Sequence, residues 1–389
     1  MEPANISKKI TPSLTLAIDG KAKALKAEGK DVCSFGAGEP DMDTPDHIKL
    51  AAAQALAEGF TKYTPTSGIP ELRQAIAEKI KTENGVDYKP GQVVVSCGAK
   101  HSCYNTILAT CNPGDEVIIP APYWVSYAEM AKVAGAEPYI VPTEESNGFK
   151  LTPAQLQEAI SPSSKLLILN SPNNPTGSIY TENELAALVE VALEDDLYIM
   201  SDEVYEKMAY DGAKHFSIAS ISKQVYEHTI TVNGFSKAYA MTGWRLGYTA
   251  APEPLAKTID SIQSHCTSNP TSFAQKGAVA ALKESQDCVN EMVKEFAARR
   301  DLIYQGLSSI PGITVNKPAG AFYILPNISS FGMTSTQFCE ALLEEALVAA
   351  VPGIAFGNDK LIRLSYACSR ENIEKGISRI KDFCAKHQK

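Results

Sequence analysis

The chain has 389 residues, more than one hydrophobic core usually holds, so two subdomains are expected. Its hydrophobic fraction of 44% is that of an ordinary globular protein, and its formal charge of −9 argues against nucleic acid and anionic membrane as partners. No run of about 18 apolar residues marks a membrane span, and nine scattered cysteines without a Cys-x-x-Cys pair fit free thiols in a reducing cytoplasm better than a disulfide framework or a metal site.

The N-terminus, Met1-Glu-Pro-Ala-Asn, carries no signal-peptide pattern, so a cytoplasmic location is expected. Residues 1–45 read as a helix and a short strand leading to Phe35-Gly-Ala-Gly-Glu-Pro-Asp41. Tyr63-Thr-Pro-Thr-Ser-Gly68 is a turn before a helix. Strand and helix patterns then alternate. Strand-like runs are Gln92–Ser96, Glu116–Ile119, Pro138–Val141, Leu166–Asn170, Tyr198–Ser201, Thr229–Val232 and Leu246–Ala250. Helical patterns cover Ala99–Thr110, Tyr123–Val133 and Glu182–Leu193, with Thr181 or Asn183 as cap of the last. This alternation predicts an α/β fold with a mostly parallel sheet covered on both faces. Ligands of such sheets sit beyond the carboxyl ends of the strands.

The residues with chemical potential fall in those loops. Ser96-Cys-Gly-Ala-Lys100 opens a helix, and its backbone NH groups at Gly98 and Ala99 form an anion site. Trp124, in Pro122-Tyr-Trp-Val-Ser126, either stacks on a flat ring or packs in the core. Ser171-Pro-Asn-Asn-Pro-Thr-Gly177 is a proline-fixed loop presenting the Asn174 amide, or simply a rigid turn. In Ser201-Asp-Glu-Val-Tyr205, Asp202 is either a helix N-cap or the partner of a protonated ring nitrogen. Tyr205 is either a core tyrosine or a donor to a phenolic oxygen.

Asn233-Gly-Phe-Ser-Lys-Ala-Tyr-Ala-Met-Thr-Gly-Trp-Arg245 is the most informative stretch. It sets Lys237 among small residues straight after a strand; taken alone it is either a solvated surface lysine, as most are, or a Schiff-base lysine that a flat carbonyl cofactor can approach. Arg245 can hold a phosphate by bidentate hydrogen bonds. Beyond residue 290 the pattern changes. A long helix (Asp287–Ser308) precedes short strands at Ile313–Val315, Ala321–Leu325 and Leu361–Ser365, then a final amphipathic helix. Arg363 lies inside the last of these apolar strands and needs an anion, as a structural ion pair or as a carboxylate receptor. Residues 1–45 and 291–389 are expected to form one smaller α+β domain against a large domain of residues 46–290.

Taken together, and in this order, Tyr-x-Pro-x-x-Gly, Ser-Pro-Asn-Asn-Pro-Thr-Gly, Ser-Asp-Glu-Val-Tyr, Ser-Lys and Gly-Trp-Arg-x-Gly-Tyr resemble the fold-type I, pyridoxal-phosphate-dependent aminotransferases. The likeness is closest to the bacterial branch of class I aspartate aminotransferases, and it runs from Phe35 to Arg363. It implies a seven-stranded sheet sandwiched by helices, a homodimer, and transamination of L-aspartate with 2-oxoglutarate by a ping-pong mechanism. It also implies roles. Lys237 carries pyridoxal 5'-phosphate covalently and moves the proton. Asp202 binds the ring nitrogen, Tyr205 and Asn174 flank the ring oxygen, and Trp124 stacks on the ring. Gly98, Ala99, Ser236 and Arg245 serve the phosphate, with Lys100 beside them and Tyr63 reaching across from a second subunit. Arg363, Gly38 and Asn174 receive the substrate α-carboxylate.

Two departures bear on specificity. Animal-type relatives bind the distal carboxylate with an arginine lent by the partner subunit; here that stretch reads Gln263-Ser-His-Cys-Thr-Ser-Asn-Pro270. Lys100 is the expected substitute, with Ser13 and Thr15 lining the same pocket. Gly234 stands where some relatives carry a phosphate-binding hydroxyl, for which Ser236 compensates. Three alternatives remain open: a broader range including aromatic amino acids or prephenate, another reaction on the same cofactor such as carbon–sulfur lysis, and a non-catalytic cofactor-binding regulator.

Overall fold

The computed structural model describes residues 2–388. Seven strands form the central sheet: β1 (Val93–Ser96), β2 (Glu116–Ala121), β3 (Glu137–Pro142), β4 (Ser164–Asn170), β5 (Tyr198–Asp202), β6 (Thr229–Gly234) and β7 (Gly247–Ala250). Their spatial order is β1-β7-β6-β5-β4-β2-β3. Every pairing is parallel except those of β7, which runs antiparallel to both β1 and β6. These are the seven runs read from the sequence, with ends shifted by one or two residues.

Side-chain alternation assigns the two faces. Leu166 and Ile168 of β4 pack with Cys103 and Ile107 of the helix Ala99–Thr110 and with Met130 and Ala131 of the helix Ser126–Ala134. Leu167 and Leu169 point the other way, onto Leu185, Leu188 and Val189 of the helix Glu182–Glu194. Each fully buried leucine or isoleucine contributes about 1.5–3 kcal/mol, so both layers are held by the same strands. The edge strand β3 alternates exposed and covered residues and tolerates Pro138 and Pro142, as an edge can.

Local signals set the helix ends. Thr181 caps Glu182–Glu194: its hydroxyl accepts from Glu184 N at 3.3 Å while the Glu184 carboxylate accepts from Thr181 N at 2.8 Å. Asn183, the other candidate cap, already lies inside the helix. The helix expected from Tyr123 begins only at Ser126, because Pro122, Tyr123 and Trp124 form the bend that brings Trp124 to the cavity described below.

The chain ends meet. Cys33–Ser34 pairs in parallel with Val348–Ala349, and Tyr323–Ile324, Ile362–Ser365 and Val351–Pro352 form a small antiparallel sheet. Phe35, Phe296, Phe322, Phe338 and Phe383 share one core beneath it. The strand expected at Ile313–Val315 does not form. Thr314 makes a single bridge to Asn327, and Pro311 and Pro318 bound a segment too short to extend the ladder. Among the described residues, no helix is long and apolar enough to cross a membrane.

Candidate active site

The topology collects the loops. β1, β4, β5 and β6 all end on one edge of the sheet, and β7, being antiparallel, begins there: Gly247 pairs with Ser96 and with Gly234. A cavity of about 340 Å³ opens on that edge. Ser13, Thr15, Gly38, Ala99, Lys100, Trp124, Asn174, Asp202, Tyr205, Ser236, Lys237, Arg245 and Arg363 line it. Gly98 lies just behind the wall. Tyr63 is not part of this wall; it stands 91% exposed on the surface of the chain.

One end of the cavity is built for an anion. The helix Ala99–Thr110 starts here with no side-chain cap, its Gly98 at φ +87°. A Cβ on Gly98 would run into the Arg245 guanidinium, so glycine is needed for both conformation and space. Arg245 donates to Thr242 O at 2.9 Å and Cys97 O at 3.4 Å, and among the described residues it has no acidic partner. The Gly98 NH, expected as a free donor, instead donates to Ser96 O at 2.7 Å, so Gly98 serves by its conformation and the space it leaves. The NH groups of the first helical turn, the buried Ser236 and this guanidinium are a donor set without an acceptor among the described residues, which a phosphate would supply.

The opposite requirement is met at Asp202. Its side chain is buried, and its Oδ2 accepts from the Tyr127 hydroxyl at 2.6 Å and faces the Cys103 thiol at 3.8 Å. Oδ1 accepts from Val204 N at 3.2 Å. Burial pushes its carboxyl up, while the bond from Tyr127 and the Val204 NH pull it down. No helix follows it, so the capping alternative falls away. Among the described residues no cation pairs with it; a protonated ring nitrogen would complete it.

Lys237 stands between these ends, its Nζ donating to Gly38 O at 2.5 Å. Burial lowers its pKa to about 8; Arg363 and Arg245 reinforce this, against Glu39 and Asp202. A lysine near 8 is a usable base and nucleophile at neutral pH.

Arg363 closes the third side. It is buried, with Nη2 on Gly36 O at 2.9 Å and Nη1 on Asn174 Oδ1 at 3.3 Å, and its Nε has no partner. Its guanidinium lies 4.5 Å from the Tyr323 ring centroid and 4.9 Å from that of Phe356. Burial works against its charge, and among the described residues no carboxylate compensates. The structural ion pair is therefore not there, and the carboxylate-receptor alternative fits. Near the mouth, Lys100 Nζ sits 5.0 Å from the Trp124 ring centroid, lowered in pKa by burial and by Arg245. Thr15 Oγ1 points into buried space without a partner.

Among the wall residues that the sequence reading does not single out, Tyr127 and Tyr323 bear on the chemistry. Tyr127 lies inside a helical pattern and looks like core. Tyr323 sits in an apolar run, yet its hydroxyl is 2.9 Å from that of Tyr205. The sequence reading puts Tyr323 inside the strand expected at Ala321–Leu325, and the strand forms at Tyr323–Ile324, but nothing in that pattern marks its hydroxyl.

The donors, the unpaired carboxylate, the lysine and the free guanidinium fit pyridoxal phosphate and an amino acid together. Comparison with known proteins agrees. The family model of aminotransferase class I and II matches residues 30–380. The chain is 50% identical over 383 residues to the aspartate aminotransferase of Bacillus subtilis, covering 97% of this chain and 98% of that one. It is 51% identical over 377 residues to a probable aspartate/prephenate aminotransferase of Aquifex aeolicus, covering 96% of each. The crystal structure of the aspartate aminotransferase from Rhizobium meliloti superposes with a TM-score of 0.95 at 41% identity, over 99% of each chain. This chain belongs to the class I and II aminotransferases, enzymes that work with pyridoxal 5'-phosphate.

Proposed function

We propose that the protein transfers the amino group of L-aspartate to 2-oxoglutarate, giving oxaloacetate and L-glutamate by a ping-pong mechanism. The observation that carries this reading is Arg363: a buried guanidinium without an acidic partner among the described residues, opening on the same cavity as Lys237. An amino acid held there by its α-carboxylate presents Cα toward the lysine. Relatives about half identical over nearly the whole chain bear the name aspartate aminotransferase, which supports the choice of donor.

Bound pyridoxal phosphate supplies the electron sink that makes the Cα proton removable. The chain's residues do the rest. Lys237 would take the proton from Cα and return it to the carbon on the far side of the amino nitrogen. Asp202 keeps a positive charge opposite itself, where negative charge builds up in the transition state. Gly98 gives the turn on which Ala99, Ser236 and Arg245 hold the phosphate, and Tyr205, Asn174 and Trp124 fix the ring. Gly38 and Asn174 assist Arg363, and Lys100, with Ser13 and Thr15, reads the side-chain carboxylate. Exposed Tyr63 completes the phosphate site of a second copy, so the working unit is a homodimer. Residues 1–45 and 291–389 act as one small domain against residues 46–290, and nine free cysteines fit a cytoplasmic enzyme.

Oxaloacetate formation from aspartate and 2-oxoglutarate by the purified protein tests this, and its absence refutes it. A wider acceptor range including prephenate is the second reading. It is favoured by a single lysine, rather than an arginine fork, at the distal wall. Prephenate consumption with aspartate as donor decides it.

A further inference from the structure

Tyr323 is buried, and it touches two functional groups at once. Its ring carries the Arg363 guanidinium at 4.5 Å, and its hydroxyl meets that of Tyr205 at 2.9 Å. The direction of that second bond follows from the neighbours. Asn174 turns its amide oxygen to Arg363 Nη1, so its NH2 group faces the Tyr205 oxygen, at 3.5 Å. The Tyr205 oxygen therefore already looks at a donor. Burial raises both phenols; the Arg363 guanidinium stacked at 4.5 Å on the Tyr323 ring pulls Tyr323 back and makes it the better donor.

We propose that Tyr323 is a positioning residue: it donates to Tyr205, leaves the Tyr205 proton free to point into the cavity, and links that proton to the carboxylate receptor Arg363. This rests on the proposed function, because the Tyr205 proton matters only if a ring oxygen accepts it. Two consequences separate the roles of the ring and the hydroxyl. The ring serves Arg363 and so the binding of carboxylates. The hydroxyl serves Tyr205 and so the charge on the ring oxygen. A stronger donor at that oxygen lets the proton at the Lys237 nitrogen leave at lower pH; a weaker one holds it to higher pH.

The test uses purified holoenzyme, wild type, Tyr323→Phe and Tyr323→Leu. The pH midpoint of the visible band is read by spectrophotometry, and the affinity for maleate, a dicarboxylate that cannot react, is read by titration. Tyr323→Phe is expected to raise the midpoint by about half a pH unit, on the scale of part of one neutral hydrogen bond, with maleate affinity kept within about twofold. Tyr323→Leu is expected to raise the midpoint and also weaken maleate by about tenfold, as the stacked ring is lost. An unchanged midpoint in Tyr323→Phe overturns the proposal. So does a loss of maleate affinity in Tyr323→Phe equal to that in Tyr323→Leu, which would make the residue mere packing. A wild-type protein without a pH-dependent visible band would instead remove the reading of the site itself, so the two failures are distinct.

Discussion

The hydroxyl of Tyr127 donates a 2.6 Å hydrogen bond to Oδ2 of Asp202, and both side chains are buried. Burial favours the neutral acid at Asp202; Tyr127 is the strongest influence keeping it ionised. Tyr127→Phe keeps the ring and removes that donor. A hydrogen bond to a charged group contributes about 1.5–3 kcal/mol, so cofactor affinity is expected to fall by roughly tenfold or more. Equilibrium dialysis against pyridoxal phosphate measures it. Asp202→Asn should instead lower kcat strongly with a modest loss of affinity, since the charge matters most as electrons build up on the ring.

Lys237 also shapes stability. Its folded pKa of about 8 lies below the 10.5 of an ordinary lysine, so the folded state binds fewer protons between those values. Stability contributed by this group therefore rises across that window and is lowest below it. Cofactor-free Lys237→Met, which carries no charge, should be more stable than cofactor-free wild type at pH 7, by on the order of a few kcal/mol. The gap should narrow as pH climbs through 8 toward 10. Urea unfolding at both ends of the range measures this. Its turnover should be down by several orders of magnitude.

The two proposed carboxylate sites, Arg363 and Lys100, should give different kinetic patterns. Arg363→Lys loses the fork geometry and should raise KM for every amino acid alike, by about tenfold. Lys100→Ala should cost about 1.5–3 kcal/mol in kcat/KM for aspartate and glutamate while sparing any aromatic donor. Steady-state kinetics on aspartate, glutamate, phenylalanine and tyrosine at fixed 2-oxoglutarate separates them. Equal losses on all four donors in Lys100→Ala would assign Lys100 to the phosphate end.

A buried charge network sits behind the Asp202 loop. Lys79 pairs with Glu206, which also accepts from Asn84 at 2.8 Å and Asn233 at 2.8 Å. Glu203 pairs with His215 at 3.1 Å. Glu203, Glu206 and His215 converge as metal ligands can, but the Lys79 ammonium already supplies a cation there. Burial would push Glu206 up; Lys79, His215 and Asn84 instead hold it down to about 2. Its stability contribution is therefore present above about pH 4.5 and lost as pH falls toward 2. Glu206→Gln leaves Lys79 buried without its main partner and should cost about 3–5 kcal/mol at pH 7. Urea midpoints of variant and wild type should converge as pH drops through that range.

Much of this was legible in the chain because local signals and topology agreed. Seven apolar runs with β-branched residues became the seven strands, since all but the half-exposed edge strand β3 are covered on both faces. Lys237, Asp202, Asn174 and Gly98 were readable because each directly follows a strand, where the sheet edge gathers loops. Tyr127 and Tyr323 were not. Their importance comes from pairings 75 and 118 residues apart in sequence, which no local pattern encodes. Ile313–Val315 had strand composition, but between Pro311 and Pro318 it makes only the single bridge from Thr314 to Asn327. The choice for Arg363 needed the whole fold, since only the packed structure shows that no acid among the described residues reaches it.

Lys237 is the residue proposed to carry the cofactor, and everything else in the site is arranged around it. Borohydride reduction of the yellow holoenzyme, followed by peptide mapping, should place the reduced cofactor on Lys237 and bleach the protein irreversibly. Recovery of the label on Lys100 or any other lysine would contradict it.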